Sequence, residues 1–498
     1  MKKVSVIFLI LILFILPNVQ AQTPKFEFRA VWVATVNNID WPSSPGLSTD
    51  QQKREVIDIL NMHQSLGMNA IILQVRPTSD AFYVSLLEPW SRYLTGTPGK
   101  APEPFYDPLQ FWIEECHKRG MELHAWLNPF RVAQNANQPL AGNHIAFQHP
   151  EWFVQYGNLL YFDPGLPQSR EFLNQVVIDI VSRYDIDAIH FDDYFYPYPL
   201  ADDFPDSASF ARYNRGFSPE NKANWRRENV DIVIEMLSNT IKSTKPWVKF
   251  GISPFGVWRN ISDDPRGSNT RAGTTNYDHL YADIRKWLEN GWIDYCLPQI
   301  YWQIGHPQAD FETLANWWKN NSFGRAMYVG HAVYKSETTS TVMEWRQPGE
   351  LPRQIEMLRT IPEIDGSAFY SSNHFFRNLM GFQDSLRQNL YSSPALVPPM
   401  PWIDNIPPLP VSKIKKSGTK IKWKVKKTDN EMDKPYRYLI YLNERNSDTP
   451  PHFFIMNNFT ECEFARANEK KKKYEVRVSV LDRLNNESAL SKAVKIKL

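Results

Sequence analysis

Cysteine is scarce in this chain of 498 residues, with only Cys116, Cys296 and Cys462. An odd count this low excludes a disulfide scaffold, and no CxxC or paired Cys/His spacing suggests structural zinc. Net charge is nearly absent as well, at +2 overall, which excludes a nucleic-acid footprint spread over the whole chain. Long apolar runs are missing beyond the N-terminus. There, Lys2 and Lys3 precede a run from Val4 to Leu16 that is apolar except for Ser5. It is too short to span a bilayer, which takes roughly 20 residues. Pro17 follows, then Val19-Gln20-Ala21, a small-residue cleavage pattern. We read residues 1–21 as a secretory signal peptide, with an uncleaved anchor as the alternative. No cysteine follows the run, so a lipid anchor is not expected. The expected location is periplasmic or extracellular.

What the chain has in quantity is aromatic residues: 17 Trp, 22 Tyr and 29 Phe. It also has a concentrated run of proline, with seven in the nineteen positions 392–410. Proline fixes φ and removes backbone donors, so this stretch is expected to be an extended linker. Charge shifts across it, from a net −8 in residues 1–410 to a net +10 in residues 411–498. Two domains with different surfaces follow, 22–391 and 411–498. The second reads as all-β, with the pieces IKWKV, YRYLIYLNE, ECEFAR and KYEVRVSVLD. It resembles a fibronectin type III domain, with Trp423 as the core Trp and Tyr474 starting the penultimate strand. Lys470 to Lys473 read as a solvated turn, with an anionic polymer as the alternative partner.

The large part alternates strand-like and helix-like segments. Eight apolar, β-branched or aromatic runs stand out, at 28–34, 70–76, 121–127, 187–193, 248–253, 294–301, 326–331 and 366–371. Helical spacing lies between most of them, as at 50–66, 105–119, 168–184, 221–243, 277–290 and 350–361. Eight β-α units predict a (β/α)8 TIM-type barrel with enlarged loops. A doubly wound open sheet is the alternative. It usually carries a Gly-rich phosphate turn after its first strand, where this chain has TVNNIDWPSSPG.

Barrel active sites lie at the C-terminal ends of the strands, and side chains alternate between lumen and helix layer. Apolar Ile189 and Phe191 should therefore face the helices, leaving His190 and Asp192 in the lumen. The same reasoning points Glu122, His124, Trp126 and Asn128 inward from the third strand, and Gln74 and Arg76 from the second. Trp32 joins them from the first, and Gln299 and Tyr301 share a face in the sixth. Polar groups on a buried face cost free energy unless paired, so their convergence marks a candidate ligand site. A satisfied polar core is the alternative, and Glu122, deepest, reads as structural. Trp32, Trp126 and Trp302 could stack on sugar rings. Asp193 is expected at the rim, where it would orient Arg76 or cap a turn.

FRAVWVATVNNIDWP, GMNAIILQVRPTSDAFY, ELHAWLNPFRV, LLYFDPGLPQSR and IDAIHFDDYFYP occur in this order from residue 28 to about 199, followed by GISPFGVWR and DYCLPQIYW. Together they resemble the glycosyl hydrolase-like 10 family. The resemblance implies a (β/α)8 barrel and glycoside hydrolase activity. It also implies a site comprising Arg76, His124, Asn128, Asp163, His190, Asp192, Asp193 and Gln299. Members include a bacterial envelope enzyme that cleaves peptidoglycan glycan strands stripped of their peptides. Chitinase-like barrels resemble D-x-x-D-x-D-x-E at this strand, with the last Glu as acid. Here that spacing gives Asp187, His190, Asp192 and Tyr194, so a chitinase mechanism does not transfer directly.

Glycoside hydrolysis normally takes two carboxyl groups. Asp192 is the expected acid, with its pKa tuned by His190 or Asp193. A second carboxyl would come from Asp193, Asp40, Asp80, Asp163 or Glu344, unless a substrate N-acetyl group serves as internal nucleophile. The expected partner is a polysaccharide, with no nucleic acid, no cofactor and no metal, and the expected state is a monomer. Two other classes remain: a catalytically silent glycan binder, and a metal-dependent deacetylase using His124, His190 and Asp192.

Overall fold

The computed structural model describes residues 24–445, 452–457, 460–464 and 472–498. Residues 1–21, read above as a signal peptide, and Lys470 and Lys471 lie outside the described residues. Eight parallel strands close into a barrel in chain order: β1 Phe28–Val33, β2 Ala70–Arg76, β3 Glu122–Leu127, β4 Ala188–Phe191, β5 Lys249–Ile252, β6 Tyr295–Cys296, β7 Ala326–Ala332 and β8 Gly366–Tyr370. The principal outer helices are α1 Thr49–Ser65, α2 Pro108–Lys118, α3 Pro167–Arg183, α4 Lys222–Thr244, α5 Ile284–Glu289, α6 Phe311–Asn320 and α7 Glu350–Leu358. The chain is therefore a TIM barrel. Local signals set several helix starts: Ser48 and Gln51 form a capping box on α1, and Asp107 precedes Pro108 on α2.

Strand alternation sorts the core into two layers. Val31, Leu73, Leu123, Ala125, Ile189 and Phe191 pack outward against the helices. Phe28, Ala30, Trp32, Ile72, Trp126, Ala188, Tyr295 and Tyr328 fill the lumen, where the Phe28 and Tyr328 rings stack at 4.0 Å. The loop after β3 carries a small antiparallel sheet in which Arg131–Ala133 and Phe153–Tyr156 both pair with Leu159–Phe162. It positions residues over the C-terminal mouth.

The proline-rich stretch is extended but not free. Leu396 exchanges backbone hydrogen bonds with the segment before β1, and Val397 and Met400 are buried in the lumenal cluster. Trp402 donates its indole N–H to Asp294 at 3.1 Å. The apolar residues among the prolines seal the barrel's lower end, a packing role that composition alone did not show.

Beyond it, two antiparallel sheets face each other. One holds β9 Lys413–Ser417, β10 Lys420–Lys424 and β13 Glu461–Glu463. The other holds β11 Arg437–Glu444, β12 His452–Asn457, β14 Lys473–Leu481 and β15 Val494–Lys497. They share a core of Ile421, Trp423, Tyr438, Ile440, Val476 and Val478. This sandwich docks beneath the barrel. Arg437 donates to Gly120 O at 3.2 Å, Asn485 to Glu122 Oε1 at 3.2 Å, and Arg483 pairs with Asp185 at 2.6 Å. Among the described residues no helix is long and apolar enough to cross a membrane.

Candidate active site

Strand β4 ends at Phe191, so Asp192 and Asp193 emerge side by side at the C-terminal mouth, each only 4% exposed. Asp192 sits in a cradle of N–H donors. Trp126 Nε1 donates to it at 3.0 Å, Asn128 Nδ2 at 3.2 Å and the Tyr194 backbone at 3.2 Å. Burial pushes its carboxyl above the usual range, while nearby Arg131 and these donors pull it back. Asp193 accepts from the Tyr198 hydroxyl and from Gln299, and Gln299 also donates to Ser253 O at 2.9 Å. Burial, reinforced by the neighbouring Asp192 charge, pushes Asp193 up to about 7. Two adjacent buried carboxyls thus differ: one is bound by indole and amide N–H donors, the other is poised to hold a proton at neutral pH.

His190 lies deeper, fully buried. Its Nε2 meets Trp32 Nε1 at 3.4 Å and Ser253 Oγ at 2.9 Å, and its Nδ1 meets the Tyr295 hydroxyl at 2.9 Å. An indole N–H can only donate, so Nε2 accepts and Nδ1 carries the hydrogen. Tyr295 then donates to His124 Nδ1 at 2.8 Å, and His124 Nε2–H donates to Glu122 at 3.1 Å. The carboxylate end agrees. Burial opposes ionisation of Glu122, but Lys249, at 2.6 Å, and His124 hold its carboxyl below the usual range. A hydrogen-bonded column with one donor direction therefore runs from the mouth to the floor. Burial keeps the His190 imidazole well below its usual pKa. Gly251 makes room for this column: a Cβ there would stand 1.9 Å from Tyr295 Cζ.

Other expected residues are placed differently. Arg76 is enclosed, held by Glu88 at 2.6 Å and donating to Asn128 O at 2.6 Å, so Glu88 and not Asp193 orients it. Gln74 accepts from the Thr35 and Val36 amides and shapes the turn after β1. Asp163 accepts from Gly165 N at 2.8 Å near Ser209 and Arg170, in the turn before α3. Trp32 contacts Tyr370 edge-on, and Tyr301 lies 6.3 Å from Tyr370. Trp302 packs against Phe255 at 5.5 Å. Asp40 joins the β1 and β8 loops, accepting from Ala34 N, Ser371 Oγ and Asn373 N, and burial pushes it up to about 6. Burial likewise pushes Asp80 up to about 6, where it accepts from Thr78. Glu344 is exposed on a short helical turn. Among the described residues no three His, Cys, Asp or Glu side chains converge as metal ligands.

Sequence reasoning missed Arg131, Tyr198, Ser253 and Tyr295. Tyr295 was findable, since it alternates with buried Cys296 on a barrel strand. The other three come from loops or strand ends where alternation lapses.

Residues 27–346 match the sequence profile of the glycosyl hydrolase-like 10 family. The chain belongs to that family. As a member it is a glycoside hydrolase. It is 46% identical over 477 residues to glycosyl hydrolase YngK of Bacillus subtilis (strain 168), covering 94% of this chain and 92% of that one. It is 38% identical over 384 residues to glycosyl hydrolase DigH of Escherichia coli (strain K12), covering 72% of this chain and 86% of that one. Among solved structures, the PgaB (BpsB) glycoside hydrolase domain from Bordetella bronchiseptica is similar with a TM-score of 0.46 at 12% identity, covering 73% of this chain and 98% of that one.

Proposed function

We propose that this glycosidase cleaves peptide-free peptidoglycan glycan strands, in the periplasm or outside the cell, as a monomer without a cofactor. In this reading the C-terminal sandwich is a fibronectin type III-like module. The observation that carries the chemistry is the unequal pair Asp192–Asp193 at the end of β4. Asp193, pushed up to about 7, holds the proton and protonates the leaving oxygen. Asp192, cradled by Trp126, Asn128 and Tyr194, is the carboxylate that stabilises positive charge developing on the sugar or orients a substrate N-acetyl group. This reverses the assignment expected from alternation alone, which made Asp192 the acid. His190, spoken for at both nitrogens, acts through the shape of the lumen. Trp126, Tyr301 and Trp302 would face the sugar rings as aromatic platforms, Gln299 would orient Asp193, and Arg76, Gln74 and Asp163 would brace the loops.

Peptide-free strands incubated with residues 22–498 should yield fragments by mass spectrometry. Asp192→Asn and Asp193→Asn should each lose about 10²–10⁴-fold in rate. Aryl glycosides with an activated leaving group separate the roles, because they need no acid. Asp193→Asn should recover most of its rate on them and Asp192→Asn should not. The opposite pattern would restore Asp192 as the acid. Binding of strands without any fragments would leave a glycan-binding protein.

A further inference from the structure

Arg131 stands beside this carboxyl pair and is unaccounted for. It opens the small sheet over the mouth, three residues after Asn128, whose Oδ1 accepts its backbone N–H at 2.9 Å. The side chain is held from two sides. Its Nε donates to Pro77 O at 3.3 Å, and the guanidinium carbon lies 4.9 Å from the centre of the Tyr194 ring. It is only 6% exposed. Arg76 is matched by Glu88, and Arg226 by Asp203 and Asp206, while Arg170 and Arg437 are held by backbone or amide oxygens away from the mouth. Among the described residues no carboxylate oxygen comes within 4.0 Å of Arg131, and its two terminal nitrogens have no protein acceptor. A nearly buried cation without an anion is costly, and at the mouth a bound anion would supply the missing partner. Its longer-range partner is Asp192.

We propose that Arg131 is a specificity-determining residue whose free guanidinium edge binds a carboxylate carried by a sugar next to the scissile bond, so that the preferred substrate is an acidic, carboxylate-bearing glycan. This rests on the glycosidase reading above and narrows its substrate class. The terminal nitrogens present parallel N–H donors whose fork matches a planar carboxylate. A dianionic phosphate fits less well, because Asp192 already places negative charge at the mouth. In peptide-free peptidoglycan each muramic acid carries a free lactyl carboxylate. An attached peptide converts that group to a neutral amide and adds bulk, so the same contact would discriminate against peptide-bearing strands.

The test uses the disaccharide of N-acetylglucosamine and N-acetylmuramic acid, with its lactyl carboxylate either free or converted to the methylamide. Binding of both forms is titrated by NMR against the wild-type protein and Arg131→Gln. The wild type should bind the free acid at least tenfold more tightly than the methylamide. Arg131→Gln should bind the two forms alike, and Arg131→Lys should keep part of the preference. Equal binding of both forms by the wild type, or no binding of either, overturns the proposal without relying on any variant to fold. An undiminished preference in folded Arg131→Gln overturns it too. Cleavage of strands is read separately. Strands cut without an acid preference would sink the role of Arg131 and spare the glycosidase; an acid preference in binding with no cutting would do the reverse.

Discussion

Asp193 couples function to stability at a single residue. Its folded value of about 7 stands above the ordinary 3.8, because burial and the Asp192 charge both oppose ionisation. Between those values the native chain keeps a proton that the unfolded chain has released. Stability therefore falls as pH rises from about 4 to 7, and the penalty is complete above 7. Asparagine cannot ionise, so Asp193→Asn should raise stability by about 2–4 kcal/mol at pH 8 and change it little at pH 4. Denaturant melts at the two pH values check this; equal shifts at both would show that Asp193 is not the proton holder. The same residue explains part of what was readable beforehand. The Asp192–Asp193 pair stands out in IHFDDYFYP as two acids closing an apolar strand. Their partners did not stand out. Tyr198 and Arg131 reach the site from loops, and Arg76 takes Glu88 from twelve positions downstream, a choice made by chain folding and not by any local period.

At the scale of elements, period-two alternation made the barrel lumen legible. Trp32, His124, Trp126 and His190 all lie on the inner layer because their flanking residues are apolar and pack against the helices. What alternation cannot see is how elements share volume. Gly251 in β5 is a blank in any polarity pattern, yet its missing side chain is where the Tyr295 ring lies. Gly251→Ala would drive Cβ into that ring, and Tyr295 is the link between His124 and His190. Overpacking of this kind costs roughly 1–3 kcal/mol, and more where backbone must yield. The expected outcome is a loss of that size in melts together with a fall in kcat larger than any rise in KM, since the displaced column underlies the reacting pair. Wild-type turnover in Gly251→Ala would mean that the column has no influence at the mouth. The proline-rich segment shows the same limit: its composition fits a linker, and only the open lower end of the barrel gives Val397 and Met400 somewhere to be buried.

Over the whole molecule, the charge step between residues 1–410 and 411–498 finds a physical use where the two parts meet. Arg437 and Arg483 of the basic sandwich face Asp185, Asp187 and Glu122 at the barrel's floor. Arg437 is buried, donates to Gly120 O and helps hold the Asp187 carboxyl well below the usual carboxylate range, beside the larger contribution of His117. Asn485 extends the contact to Glu122, the floor of the lumenal column. The sandwich is thus part of the barrel's base and not a detached spacer. Arg437→Met keeps most of the side-chain volume and removes the charge, leaving Asp187 and Glu122 buried with less compensation. Among the described residues Arg437 makes no ion pair within 4.0 Å, so the expected loss is that of its buried hydrogen bond to Gly120 O and of the longer-range charge, about 1–3 kcal/mol. Because the site is shielded, the loss should be nearly independent of salt, unlike that of an exposed ion pair. Melts followed by tryptophan fluorescence, to which the barrel's indoles contribute most, should shift accordingly at both low and high salt. An unchanged barrel transition would mean that the two parts are energetically independent despite their contact. A shift would mean that the sandwich sets the stability of the scaffold on which the catalytic pair stands.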